Sequence, residues 1–528
     1  MRRRTEQQPD IEPVRPGSLA VRFPVRPDYE PLRPSQQPKE ASARVAAAGS
    51  SSKSSNGSTS PSAAILPKAR VDSSATGPED SPARSGTGEK WRLRPAHTLT
   101  YAGLFLFTVV LYVRPSEFST SPLAASMALI VALVTLAFFV PTQLSMEGTL
   151  TARPDEVNLV LLFCLICLLS IPLAISREDA WHEFSGTFIR CIVMFIVIVN
   201  VVRTEARLKG LLFLAIASAV WLSVDAINDF RLGLATVEGY RVGGRGVGIF
   251  GNTNDMALHL VTVLPISIAL MFGSRAIVVR LIYGVSAALM LAGIVLSYSR
   301  GAFIALLVVL VFLAIKIGRR NRLGITVGIL FLAIGFLLFA PGDYLVRLLS
   351  IFIPSLDPVG SADARRAELF RSIFVALRHP LLGIGMGNWG PQMSYRGLVT
   401  HNAYTQVAAE TGLAALACYL MFILTPLRKL GQIARETFET RGNTSFYYLS
   451  VGLQAGLISY LVSSFFLSVA FNWYVYYLVG YAVCLRRLYE SETGKAVVVE
   501  KRKERKERKA RAGRRGLRID SDDRAVTI

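Results

Sequence analysis

Long apolar runs recur along most of this chain, and they constrain its fold more than any other feature. A segment needs roughly 20 consecutive apolar residues to cross a bilayer as a helix. About twelve runs satisfy that criterion. Their expected limits are residues 97–113, 122–140, 156–175, 183–202, 207–225, 254–272, 277–297, 302–317, 323–340, 402–425, 446–468 and 470–486. The eighth is short, and the last two are nearly continuous. The expected fold class is an all-α polytopic membrane protein with about twelve transmembrane helices.

Composition agrees. The 528 residues are 52% hydrophobic and 18% charged, with a mean hydropathy of +0.41, too apolar for an ordinary soluble enzyme. The formal net charge is nevertheless +21, so apolar and basic excess occupy different segments. Residues 1–95 are rich in Pro, Ser, Arg and Ala and lack any apolar period; a disordered cytoplasmic tail is expected there. The opening "MRRRTEQQPD" leads into no apolar core, so no secretory signal is expected. Residues 96–487 hold the transmembrane domain, and 488–528 form a basic cytoplasmic tail containing "EKRKERKERKARAGRRGLR". Its expected partner is the anionic lipid surface; nucleic acid is not expected, because no recognition module accompanies the charge. Of the five cysteines, Cys164 and Cys167 form a CxxC inside the run "LVLLFCLICLLSIPL". Redox and zinc chemistry need access that such a setting withholds. These two, with Cys191, Cys418 and Cys484, read as packing residues.

The short loops give an orientation. "VVRTEARLKG", "GSRAIVVR", "KIGRRNR" and "LRKLGQIARETFETRGN" are basic and alternate with loops poorer in clustered cations. The positive-inside rule places the basic set, and with it both termini, in the cytoplasm. The extracytoplasmic loops are then 114–121, 176–182, 226–253, 298–301, 341–401 and a tight turn near Ala470. The longest contains a helical pattern, "SADARRAELFRSIFVALRHP", with Ser361 as N-cap and an end before Pro380. Its Leu369, Phe370, Ile373, Phe374 and Leu377 share one face, which can lie on the membrane or the bundle.

Three polar features fall on that extracytoplasmic side. "RVGGRGVGIFGNTND" (241–255) combines Arg241 and Arg245 with glycines that let a backbone approach a ligand and can form an anion-binding nest, though such turns also simply connect helices. It is not a dinucleotide fingerprint, since no βαβ unit surrounds it. "SYSRGAF" (297–303) puts Ser299 and Arg300 between two apolar runs. Arg300 either snorkels to the interface or pairs with a carboxylate or a bound anion. "THNAY" (400–404) opens the tenth run; His401 there is either a capping residue or a general base, since a neutral imidazole exchanges protons near neutrality. Glu410, nine positions on, is half a turn out of phase and is expected in a buried ion pair, with an arginine as the candidate partner, rather than beside His401. Two arginines can hold a pyrophosphate by charge-assisted forks while a histidine deprotonates an attacking hydroxyl. In the expected extracytoplasmic loops no DxD pair or His/Asp/Glu cluster suggests a metal.

"GRGVGIFGNTNDMALHL", "SYSRGAFIAL", "RHPLLGIGMGNW" and "THNAYTQVAAETGLAAL", in that order, resemble the O-antigen ligase and polymerase family of bacterial envelopes. The resemblance is strongest over residues 241–425 and covers neither tail. It implies a metal-independent, inverting glycosyltransferase without cofactors in the bacterial inner membrane. Such an enzyme moves a glycan from an undecaprenyl-pyrophosphate carrier to an acceptor hydroxyl on the extracytoplasmic face. Carried over by motif, Arg245 and Arg300 contact the pyrophosphate and His401 is the base, with Arg241 competing for the role of Arg245. Asn252, Asn254, Ser299, Asn402 and Tyr404 are the accompanying substrate-binding candidates. "NTN" stands where the family often has Asn-Pro-Asn, which changes a turn more than the chemistry. The acceptor class, whether lipid A core, growing polysaccharide or protein, is not encoded in these motifs. The competing class is a membrane transporter of a small solute or lipid-linked glycan; the chain has no internal repeat of the kind that class often shows, and its polar clusters lie at one interface.

Overall fold

The computed structural model describes residues 96–115, 121–234, 241–243, 249–318, 361–394, 397–442, 444–494 and 496. The expected N-terminal tail, span 323–340, Arg245 and the expected C-terminal tail apart from 488–494 and 496 lie outside these residues; residues 488–493 continue the last helix. Every regular element described is helical. In chain order they are α1 (Thr98–Val113), α2 (Pro122–Glu147), α3 (Asp155–Ser170), α4 (Arg177–Val201), α5 (Glu205–Arg231), α6 (Thr253–Gly273), α7 (Ile277–Leu296), α8 (Arg300–Ile317), α9 (Ser361–Arg378), α10 (Ala403–Thr411), α11 (Leu413–Glu436), α12 (Phe446–Ser463) and α13 (Trp473–Thr493). A π-helical turn, Phe184–Phe188, lies within α4.

Among the described residues, 9 helices are long and apolar enough to cross a membrane: α2 to α8, α11 and α12. The shorter α1 is apolar as well. The sequence limits for α7 and α8 agree with the structure to within a residue or two. α13 is of a different kind. It is tyrosine-rich, and every residue from Trp473 to Tyr489 is buried. A helix covered all round belongs to the core of a bundle. It packs on α4, α11 and α12. By contrast, α2 and α7 expose Leu129, Leu133, Ile282 and Val285, as lipid-facing helices do.

The tightest helix pair is set by small residues. Gly452 and Gly456 of α12, one turn apart, face α6. A methyl carbon placed on Gly452 would lie 2.8 Å from Ala269 Cβ, and one on Gly456 would lie 2.9 Å from the Thr262 carbonyl oxygen. Spacing of this kind lets two helix backbones approach where no hydrophobic effect drives association. The five cysteines are free thiols; all except the partly buried Cys164 are buried, which fits packing.

The span expected at 402–425 is two helices. The chain breaks at Gly412, whose φ is +91°, a value that glycine adopts without steric cost. The break strands backbone groups that an unbroken helix would have paired. The turn after α9 takes them up: Ile384 N–H donates to the Ala409 carbonyl at 2.9 Å, Gly385 N–H to the Glu410 carbonyl at 2.9 Å, and Leu413 N–H to the Pro380 carbonyl at 2.8 Å. Gly412 must be small as well as left-handed, since a methyl carbon there would sit 2.2 Å from the Leu381 carbonyl oxygen. A glycine-rich turn that looks like a connector is thus the splint of a broken helix.

Glu410 is also corrected. It is buried, but among the described residues it forms no ion pair with an arginine: its Oε1 accepts from the Trp389 backbone N–H at 3.2 Å. The buried ion pairs described lie elsewhere. Glu156 meets Arg486 at 2.9 Å and Lys429 at 3.3 Å, and Lys429 meets Asp155 at 2.6 Å.

Candidate functional site

Three chain segments that are far apart in sequence converge at one end of the bundle. The first is the N-terminus of α6. Asn252 caps it, its Oδ1 accepting from Asn254 N–H at 2.9 Å. The second is the turn between α7 and α8. Tyr298 there has φ 51°, the left-handed region that non-glycine residues seldom enter. That turn brings Ser299 N–H to Ser297 Oγ at 3.2 Å. Arg241 joins the two. Its Nε donates to the Ser297 carbonyl at 3.1 Å and its Nη2 to Asn254 Oδ1 at 3.0 Å. With 4% exposure, Arg241 is a buried strut between the loops. Ser299 is the residue before α8, which puts Arg300 at its first position, beside the turn.

The third segment carries His401. Thr400 and Asn402 pin it from both sides. Thr400 Oγ1 pairs with Ser468 Oγ at 2.7 Å, and Asn402 Nδ2 donates to the Phe465 carbonyl at 3.0 Å. Asn402 Oδ1 caps α10, accepting from Tyr404 N–H at 2.9 Å and Thr405 N–H at 3.0 Å, as a side chain at an N-cap does. Tyr404 is engaged too. Its hydroxyl donates to the Leu461 carbonyl at 2.6 Å and accepts from Ser464 Oγ at 3.1 Å. His401, between these anchors, has φ 52°. Such a conformation costs on the order of 1–3 kcal/mol and persists only where its surroundings impose it. The pinned neighbours do so, and they fix the direction in which the imidazole leaves the chain.

A small enclosed pocket lies between the first two segments. Asn254 and Ser299 line it, with Arg365 from α9 and Ser463 and Leu467 from the end of α12. Arg365 also acts on His401. Burial, and secondarily the Arg365 guanidinium, lower the His401 pKa to about 4. The imidazole is therefore neutral at neutral pH and able to accept a proton.

Arg365 is the functional candidate that sequence reasoning missed. The stretch "ARRAELFR" was read for its apolar face, and the structure assigns that face outward. Phe370, Ile373, Phe374 and Leu377 are exposed, while Val375 and Ala376 pack with Trp389, Ala408 and Ala409. Glu368 orients α9 further, accepting from Trp389 Nε1 at 3.0 Å and Ser394 Oγ at 3.1 Å. One signal was present: two adjacent arginines one turn after the expected N-cap cannot both follow the apolar face.

The described fold and site define a class, a polytopic helical membrane protein with an arginine-bearing pocket at one end of its bundle and a pinned histidine within reach of that arginine's charge. The O-antigen ligase family model matches residues 285–420. The chain thus resembles the O-antigen ligase and polymerase family, over a stretch that runs from within α7 to within α11 and includes Arg300, Arg365 and His401. The match supports glycan transfer of the ligase or polymerase type, in a multi-pass membrane protein whose partners are a lipid-linked glycan and an acceptor. No curated protein matches the chain.

Proposed function

We propose that this chain transfers a glycan from undecaprenyl pyrophosphate to an acceptor hydroxyl, on the extracytoplasmic face of a bacterial inner membrane. In this reading His401 takes the acceptor proton. The freed oxygen pair attacks the anomeric carbon, the bond from that carbon to the pyrophosphate oxygen breaks, and undecaprenyl pyrophosphate leaves with the bonding pair. A single displacement inverts the anomeric configuration. Arg300 and Arg245 hold the pyrophosphate and stabilise the charge it gains, supplying the positive charge that other enzymes take from a metal. Ser299, Asn252 and Asn254 bind substrate around them. Arg241, Asn402 and Tyr404 act mainly as positioning residues, because their polar groups already hold the loops together.

The observation that carries the reading is Arg365. It lines a pocket with Asn254 and Ser299 and exerts its charge on His401, so one cation links the motifs of α6 and α8 to the histidine. The test is the mass of the product formed from a defined undecaprenyl-linked donor with candidate acceptors. Arg300→Ala and His401→Ala are expected to abolish transfer while the protein stays in the membrane. Normal transfer by both variants would sink the proposal.

A further inference from the structure

The opposite end of the bundle holds a second polar site that glycan transfer does not use. Along α13, Arg486 and Arg487 lie about 20 Å from Trp473, at roughly 1.5 Å per residue. They line an open cleft with Glu147 at the end of α2, Arg153 and Asp155 at the start of α3, and Glu490. The cleft has a volume of about 270 Å³, room for a small polar headgroup. Its lining alternates in sign, with three guanidinium groups and three carboxylates.

Several of these charges are already placed. Arg203 satisfies Glu147 at 2.5 Å, Lys429 satisfies Asp155 at 2.6 Å, and Arg487 donates to the Val199 carbonyl. Two cationic groups are not used up. Arg153 is exposed at the mouth and makes no hydrogen bond or ion pair with the described residues. Arg486 is 6% exposed, and its Nε has no hydrogen-bond partner although Nη2 is held by Glu156. A buried guanidinium N–H left unpaired is costly, and an acceptor oxygen in the cleft would remove that cost. The setting is amphiphilic. Leu144 of α2 and Leu161 and Leu165 of α3 are exposed on the helices that frame the cleft, and both helices meet the membrane-span criterion up to the cleft's edge.

We propose that this cleft binds the headgroup of a zwitterionic phospholipid bearing a primary amine. Its phosphate oxygens sit against Arg153 and Arg486, its ammonium against Glu490, and its acyl chains run down the exposed apolar faces of α2 and α3. A purely anionic headgroup would match the cations but set negative charge against Glu490 at the rim. A choline headgroup would match the charges but offer no N–H to that carboxylate.

The experiment uses the full-length chain in detergent, with native mass spectrometry against phosphatidylethanolamine, phosphatidylglycerol and phosphatidylcholine of identical acyl chains. At least fivefold preferential retention of phosphatidylethanolamine is expected. It is expected to be lost in Arg153→Gln, and Glu490→Gln is expected to abolish the preference over phosphatidylcholine. Both substitutions are at the cleft's rim, and unchanged thermal unfolding without added lipid would certify the fold. Equal retention of all three lipids, or preference for phosphatidylglycerol, would overturn the proposal. So would displacement of the lipid by millimolar inorganic phosphate, which would make the cleft a site for free anions.

Discussion

Arg241 donates its Nη2 hydrogen to Asn254 Oδ1 at 3.0 Å, and the same guanidinium reaches the Ser297 carbonyl at 3.1 Å. One buried side chain therefore fixes the distance between the loop that opens α6 and the turn that opens α8. Lysine has a single ammonium and cannot reproduce a planar fork that serves two acceptors. Arg241→Lys and Asn254→Ala are each expected to lower glycan transfer at least tenfold, and the double variant to lose little more than either one, because both remove one link. Full additivity of the two losses would show that the residues act separately.

His401 has a pKa lowered to about 4 by burial and by Arg365. As a base it is then competent across neutral pH, and transfer is expected to decline only as pH falls toward 4. Arg365→Gln removes one of the two causes, so the inflection is expected to move up toward the ordinary value of about 6.5. A parent profile that already breaks near 6.5 would exclude His401 as the base. The same shift has a stability consequence. Between those two values the unfolded chain binds a proton that the folded one does not, so this residue's contribution to stability falls as pH drops through the window. Thermal unfolding against pH, parent versus His401→Gln, reads that difference directly.

The broken helix makes a sharp demand on Gly412. With φ at +91° and the Leu381 carbonyl oxygen 2.2 Å from the position of an added methyl carbon, Gly412→Ala is expected to displace the turn after α9. The loss of stability should exceed in size the ~0.4–1 kcal/mol that the same substitution gains at a site that accommodates alanine. Cysteine crosslinking between the turn and α10 would report the displacement. Wild-type unfolding and full activity would contradict it.

Glu156 sits between Arg486 at 2.9 Å and Lys429 at 3.3 Å, with no exposure of its side chain. Removing one member of a buried ion pair leaves its partners uncompensated, at a cost of about 3–5 kcal/mol. Glu156→Ala is expected to lower the unfolding temperature in detergent strongly, and Asp155→Ala much less, since Asp155 is largely exposed.

Much of this architecture is legible in the chain because the bilayer imposes a length rule. Residues 277–297 read as a span, and Ile277–Leu296 is a helix. What escapes the rule is whatever protein, rather than lipid, surrounds. The limits 470–486 fall short of α13 because Arg486, Arg487 and Tyr489 look like a helix end, yet they are buried against Glu156, Val199 and Glu436. The run 402–425 reads as one span because a lone glycine carries no sign of its dihedral angle; only the partners at Ile384, Gly385 and Pro380 make the break affordable. For the candidate site, the order of motifs marked Arg300 and His401. Arg365 was hidden, because a loop helix shows its apolar face more plainly than the direction of one cation.

The burial of α13 bears on how the molecule is made. The candidate spans α2 to α8, α11 and α12 all precede it in the chain and enter the membrane while its place among α4, α11 and α12 is still vacant. The half-built bundle therefore carries a slot lined by the aromatic rings of Phe188 and Phe422, which Tyr476 later fills. Closure is a late event in biogenesis. A defect in α13 is expected to yield an inserted but open assembly, the substrate of membrane quality-control proteases rather than of the export machinery.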